Sequence, residues 1–380
     1  MQPKINLPSN VEINEEVLRI TKDLIRIRSF WDSANVHRSR RALWKTIEYT
    51  KRLFEKEKVF IQEFERNKRP SIVISFAKKR EFRYLLVGHL DVVPALKEDA
   101  FEPRTRGRWL YGRGSGDMKA SCAIMIWVMK QLAQLPQKPS VGLILTTDEE
   151  SGGASGVGYL LRKRGYRCRC AIIPDGGRDN AVVYKQKGVL HLLLSAHGKT
   201  AHGARPWLGE NAISKLIFAL LKIQRLFPRY LSSQRYWGNS INLGVIRGGE
   251  AINQVPSKAT AVLDVRYTEK ETAQEITNKI QEAVPDIKVK TMISAPLFKT
   301  RRNNPYLNKF KKIIEKKLSR KIEVVEENGA TDARYFSEQD IKSVIISKPR
   351  DKNLHGEKER VYIPDFAPYS RSIFEFIVKP

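Results

Sequence analysis

The sequence predicts an α/β protein with a ferredoxin-like βαββαβ domain inserted into it. Three observations carry this. Short buried apolar strands alternate with amphipathic helices over residues 12–183, the pattern of an open α/β sheet. From about Tyr184 the order changes to strand, helix, two strands, helix and strand. After residue 295 the α/β alternation returns, so both ends of the chain build the first domain. The expected division is 1–183 and 295–380 for that domain and 184–294 for the insert.

Each element has its own signal. Residues 12–27 carry Val17, Ile20, Leu24 and Ile27 at helical spacing, and 44–54 reads as a second amphipathic helix. Strands are expected at 59–64, 71–76 and 84–87, the last running into Gly88-His89-Leu90-Asp91. A glycine-rich turn opens a helix over 120–135, followed by strands at 141–147 and 170–174. In the insert, 188–196, 240–246, 259–267 and 287–292 read as strands, and 211–227 and 272–284 as helices. The closing part reads as helix 305–318, strand 322–326, short helix 332–338, strand 343–347 and helix 365–378. There is no internal repeat and no low-complexity segment.

Composition narrows the function classes. A chain of 380 residues with 41% hydrophobic content is a globular protein of two or three domains. No apolar run approaches the roughly 20 residues that span a bilayer. Residues 1–14 are polar, without the apolar stretch of a leader. Cys122, Cys168 and Cys170 form no disulfide framework, so a reducing cytoplasm is expected. The 69 Lys+Arg against 41 Asp+Glu give a net charge of +28. The basic residues are spread along the chain, with no zinc-finger, glycine-aromatic or recognition-helix pattern. That favours a generally basic surface over a dedicated nucleic-acid site, with attraction of anionic substrates as a third option. A non-catalytic scaffold using this surface on nucleic acid is the alternative from another class.

Chemistry-bearing residues recur at strand ends, where open α/β sheets bind ligands. His89 and Asp91 sit two apart and face the same way. Asp91 can therefore hold the imidazole from one side and leave one nitrogen free for a metal. The glycines of Gly112-Arg113-Gly114-Ser115-Gly116 deliver Asp117 at the mouth of a helix, where an aspartate is also a natural N-cap. Glu149 and Glu150 follow another strand. Adjacent carboxylates there repel unless a cation or a shared proton compensates. Asp175 follows a further strand.

The stretches GHLDVVP, GRGSGDMKAS, TTDEESGG, PDGG, GKTAHGARPWLGENAI, GGEAINQVP, LDVR, GATDARYF and LHGE follow one another over roughly Leu85 to Gly356. The ordered set resembles the dinuclear zinc amidohydrolases and peptidases typified by acetylornithine deacetylase, succinyl-diaminopimelate desuccinylase, aminoacylase and carboxypeptidase G. The resemblance implies a zinc-peptidase-like catalytic domain and an inserted lid and dimerisation domain. It also implies two zinc ions, with cobalt or manganese able to replace one. His89 and Asp175 would bind one metal, Glu150 and His355 the other, and Asp117 would bridge them. Asp91 becomes the partner of His89, and Glu149 the general base. His202 would stabilise the oxyanion, often from the neighbouring subunit of a homodimer. Asn253 and Arg266 resemble residues that hold a substrate carboxylate, with Thr331 and Arg334 lining the same pocket.

The implied reaction is hydrolysis of an amide bond next to a free carboxylate, in a short peptide or N-acyl amino acid. Desuccinylation or deacetylation in amino-acid biosynthesis is the alternative within the class. Two departures bear on substrate choice. Gly356 is followed by Glu357-Lys358-Glu359 instead of a Gly-Pro-Asn-Glu-like stretch, and Gly329-Ala330 stands where relatives carry a glycine pair.

Overall fold

The structure is a computed structural model that describes residues 7–227 and 236–379, apart from Arg178, Asn180 and Lys342. Residues 1–6 of the polar N-terminal stretch lie outside the described residues. The chain forms two compact units. One comprises Met1–Tyr184, Lys299–Glu327 and Thr331–Pro380, and the other Lys185–Phe298 with Asn328–Ala330.

The first unit is built on a six-stranded sheet. Its order is Phe60–Arg66, Arg69–Ser75, Val141–Thr146, Glu81–His89, Arg167–Ile172 and Val344–Ile345. The first two strands form an antiparallel hairpin, and the last four run parallel. Such strands are buried on both faces, which is why they read as continuous apolar runs. The helix Ala120–Ala133 is buried on nearly every side. A helix apolar all round belongs in a core. It packs with Asn10–Arg26 and Phe366–Val378 around Trp127, Ile20 and Phe376.

The expected strands and helices are present, with shifted ends. The second helix begins at Val36, not residue 44, because the Asn35 side chain accepts from Arg38 N and caps it early. The strand before Asp175 is Arg167–Ile172, three residues earlier than expected. Polar Arg167 and Arg169 hid its start, since half-exposed positions break an apolar run. A small sheet was not anticipated. It orders Asp351–Lys352, Arg360–Tyr362, Trp109–Tyr111 and Arg104–Arg106, strands of two or three residues that no periodicity window resolves.

The second unit is the βαββαβ domain. Its sheet order is Ser240–Gly248, Lys258–Tyr267, Gly188–His197 and Lys288–Ala295, all antiparallel. Leu190, Leu192 and Leu194 alternate inward, as a half-buried strand requires. They meet Leu216 and Ile223 of Ala212–Arg225 and Ile276 and Ile280 of Ala273–Ala283.

Candidate metal centre

Three parallel strands bring their carboxyl ends side by side. His89 is the last residue of Glu81–His89 and pairs in register with Thr146. Glu149 and Glu150 lie just past Thr146, and Asp175 just past Ile172. His89 Nδ1 is 3.0 Å from the main-chain oxygen of Asp91. That contact places the proton on Nδ1 and leaves Nε2 as the free donor atom. Nε2 lies 3.1 Å from Asp117 Oδ1 and 3.9 Å from Asp175 Oδ2.

Asp91 departs from the expected arrangement. Its main-chain oxygen holds the imidazole, and its carboxylate is farther away, with Oδ1 3.5 Å from Nδ1. The carboxylate instead accepts from Glu149 N and Glu150 N, at 3.3 and 3.1 Å. Asp91 thus ties two strand ends together.

Asp117 is not a helix cap. Its side chain caps nothing, and Ala120–Ala133 begins three residues later. Its two oxygens diverge, Oδ1 toward His89 and Oδ2 to 3.0 Å from His355 Nε2. His355 Nε2 also lies 3.5 Å from Glu150 Oε1. Two triads of donor atoms result: His89, Asp117 and Asp175, and Asp117, Glu150 and His355. Within each, the atoms lie within 4.8 Å of one another, and Asp117 belongs to both.

Buried negative charge dominates this place. Burial pushes Asp175 up to about 6. Burial and the neighbouring Asp332 raise Glu149 above its usual range, and burial takes Asp332 up to about 8. Burial also acts to raise Asp117, but hydrogen bonds to His355 and His89 outweigh it and hold the carboxyl well below its usual range. Asp117 and Glu150 together lift His355 to about 10. For His89 burial acts downward, and Asp117 and Asp91 reverse it. Buried Glu150 Oε1 has only the 3.5 Å contact to His355 Nε2 and no hydrogen bond of good geometry among the described residues. Crowded carboxylates with a poorly satisfied acceptor are what a bound cation would compensate. Imidazole nitrogens and carboxylate oxygens suit zinc.

The other candidates fall in two places. Arg334 Nη2 is 3.8 Å from Glu149 Oε1 and 3.9 Å from Asp332 Oδ1, so it faces the proposed base. Thr331 Oγ1 accepts from Ala333 N at the start of the same short helix. His202, Asn253 and Arg266 belong to the second unit. Gly203 N donates to the Asn253 oxygen, and His202 pairs with Gln254. His202 Nδ1 accepts from Ala204 N, which puts the ring proton on Nε2. Arg266 is held by Asp264 of its own strand, through Nε at 2.9 Å and Nη2 at 3.1 Å.

Sequence reasoning missed Glu359 and Lys119. Glu359 Oε1 accepts from Gly116 N and Asp117 N, and Oε2 from Gly114 N and Arg113 Nη1. Gly114 has φ of +80°, and a Cβ there would meet Val92 Cγ1 at 2.5 Å, so only glycine makes this turn. Lys119 is fully buried, donates to Leu24 O and Ile27 O, and is pushed down to about 7 by that burial. The one available signal was indirect: a glycine-rich turn exposes N–H groups that need an acceptor.

The sequence pattern of peptidase family M20/M25/M40 matches residues 85–379. The chain belongs to that family. A "Probable carboxypeptidase" of Aspergillus fumigatus is 34% identical to this M20 chain over 219 residues, 53% of this chain and 49% of that protein. The chain spans about half the length of such curated carboxypeptidases. A succinyl-diaminopimelate desuccinylase of Wolinella succinogenes is 26% identical over 77% of this chain and 83% of its own length. Among solved structures, a Staphylococcus aureus tripeptidase superposes with a TM-score of 0.75 at 19% identity, covering 96% of this chain and 97% of its own. A Saccharomyces cerevisiae di-peptidase gives 0.77 at 14%, covering 97% and 98%. The M20 fold is therefore that of the chain, including the inserted domain, and the family is one of hydrolases of amide bonds.

Proposed function

We propose that this chain hydrolyses an amide bond next to a free carboxylate, in a short peptide or an N-acyl amino acid. The observation that carries the reading is Asp117 shared between two donor triads, with Glu149 beside Glu150 at the same strand end. His89 and Asp175 would hold one divalent ion, and Glu150 and His355 the other, with Asp117 common to both. Zinc suits these donors, and cobalt or manganese can replace one ion. Bound there, the ions would polarise the substrate carbonyl and acidify a water.

The chain's own residues supply the rest. Glu149 takes a proton from the attacking water and delivers it to the leaving amine nitrogen as the C–N bond breaks. Arg334, 3.8 Å away, favours the ionised form that a base needs. Asp91 keeps His89 in the correct tautomer and fixes Glu149 and Glu150 through their N–H groups. His202 carries its proton on Nε2, the form that donates to a developing oxyanion. Asn253, Arg266, Thr331 and Arg334 are the residues for the substrate carboxylate.

In this reading 1–183 and 295–380 form the catalytic domain and 184–294 the lid and dimerisation domain. Exposed Ile217, Phe218 and Leu221 on one helix, with Leu243 and Ile246 on the edge strand Ser240–Gly248, support a homodimer. Three free cysteines support a cytoplasmic site. No described helix is long and apolar enough to cross a membrane. The desuccinylase relative, which covers most of the chain, supports desuccinylation as a second reading.

The test is amine release from a panel of dipeptides and N-acetyl and N-succinyl amino acids, with a chelator control. Chelator-sensitive release is expected. Glu149→Gln should bind metal and remain folded while kcat falls by about 100-fold or more. Full activity in that variant would remove Glu149 as the base.

A further inference from the structure

The small sheet of the first unit presents basic and aromatic residues on one face. Register pairs Arg104 with Tyr111, Tyr111 with Arg360 and Arg360 with Lys352. It pairs Arg106 with Trp109 and Trp109 with Tyr362 on the same face. Leu110 and Val361 point the other way and are buried in the core. Beside this face lies a cavity of about 670 Å³, lined by Arg106, Lys358, Arg360 and the candidate ligand His355.

The cavity's charges do not balance. Its carboxylates are engaged: Glu357 with Lys97, and Asp99 and Glu102 with Arg104. Arg113 is taken by Glu359. Arg106, Lys358 and Arg360 have no carboxylate partner among the described residues. Arg360 is the best prepared of the three. Its guanidinium carbon lies 5.3 Å from the Trp109 ring centre and 5.4 Å from that of Tyr111. Its Nε is buried with no hydrogen-bond partner among the described residues. The two rings hold the guanidinium in place, and its terminal N–H groups, which make no hydrogen bond among the described residues, are left for a planar or tetrahedral anion.

We infer that this cavity is an anion subsite, taking a carboxylate or phosphate carried by the substrate away from the scissile amide, and that it selects acidic substrates. The inference rests on the amide-hydrolase reading, because His355 joins the cavity to the candidate metal centre. It differs from the carboxylate contacts assigned to Asn253, Arg266, Thr331 and Arg334, none of which lines this cavity. Aromatic rings covered by cations are poor platforms for stacking bases, which favours a substrate anion over single-stranded nucleic acid.

The experiment compares matched substrates that differ only in a distal group: neutral amide, carboxylate or phosphate. The wild-type enzyme should prefer the anionic members by about 10- to 100-fold in kcat/KM, through KM, as a charge-assisted contact implies. The carboxylate and phosphate arms separate the two anion sources. In Arg106→Gln/Arg360→Met the ratio of anionic to neutral kcat/KM should fall toward one. Lys358→Met, on an exposed loop, gives a second variant if the first fails to fold. Calorimetry of full-length Glu149→Gln with the same pairs reads binding without turnover. A ratio near one in the wild type, or an unchanged ratio in the variants, overturns the subsite. Salt-dependent binding of oligothymidylate, lost in the variants without any substrate preference, overturns it in favour of a nucleic-acid face. Preferential anion binding without hydrolysis by the wild type leaves the subsite standing and removes the hydrolase reading. Hydrolysis without preference does the reverse.

Discussion

Glu359 does for the glycine-rich turn what no residue inside the turn can do. Three main-chain N–H groups and one guanidinium converge on one buried carboxylate, and Asp117 sits at the end of that turn. Glu359→Gln would leave Arg113 buried without its counter-charge. It should cost about 3 kcal/mol, read by denaturant titration, with zinc affinity falling alongside. A second residue reports on acid stability. Glu269 accepts from Lys185 Nζ and Trp237 Nε1. Burial opposes ionisation there, yet these bonds bring the carboxyl down to about 2. A folded value below the unfolded one means that the contribution is present above the ordinary carboxylate pKa. It is lost as pH falls from about 4.5 toward 2. Glu269→Gln should therefore melt with a flatter pH dependence than the wild type over that window. Parallel melting curves would show that the pair contributes nothing.

The element scale shows how the same pattern serves two ends. The helix Ala212–Arg225 buries Leu216, Ala219 and Ile223 inward yet also exposes Ile217, Phe218 and Leu221. A surface helix ordinarily presents polar residues there. Its neighbour Ser240–Gly248 is an edge strand with Leu243, Val245 and Ile246 exposed. Phe218→Asp with Leu243→Asp should halve the particle mass in light scattering while the far-ultraviolet circular dichroism stays unchanged. Both side chains are exposed in the single chain, so these changes cost little stability of their own. A wild-type monomer would sink the dimer reading. The small sheet is the opposite case. Its strands are too short to be read in sequence, and they exist because residues 104–111 and 351–362 pair across the fold.

At the scale of the molecule, metal and fold should be linked. Donor atoms come from strand ends and loops far apart in sequence, from His89 to His355. A ligand that binds only the folded chain raises its stability by mass action, about 2.7 kcal/mol at a hundredfold excess over Kd. Chelation should lower the melting temperature, and zinc should restore it. An unchanged melting curve would argue against a site formed by these residues.

Local patterning was enough for the architecture. Apolar runs marked the parallel strands, and alternation marked the inserted sheet, because burial on one face or two leaves a short-range trace. Motif order singled out His89, Asp117, Glu150, Asp175 and His355, and the fold brings their donor atoms into two neighbouring triads. The structure alone decided how they are held. It put the Asp91 main chain, not its carboxylate, against His89, and it set Asp117 between His89 and His355 instead of at a helix cap. It brought Glu359 under the turn, buried Lys119 beneath the end of the first helix, and set Arg360 over Trp109 beside His355. These contacts join residues tens to hundreds of positions apart. Their partners are chosen by packing and by the need to satisfy buried polar groups, and neither leaves a periodic mark in the chain.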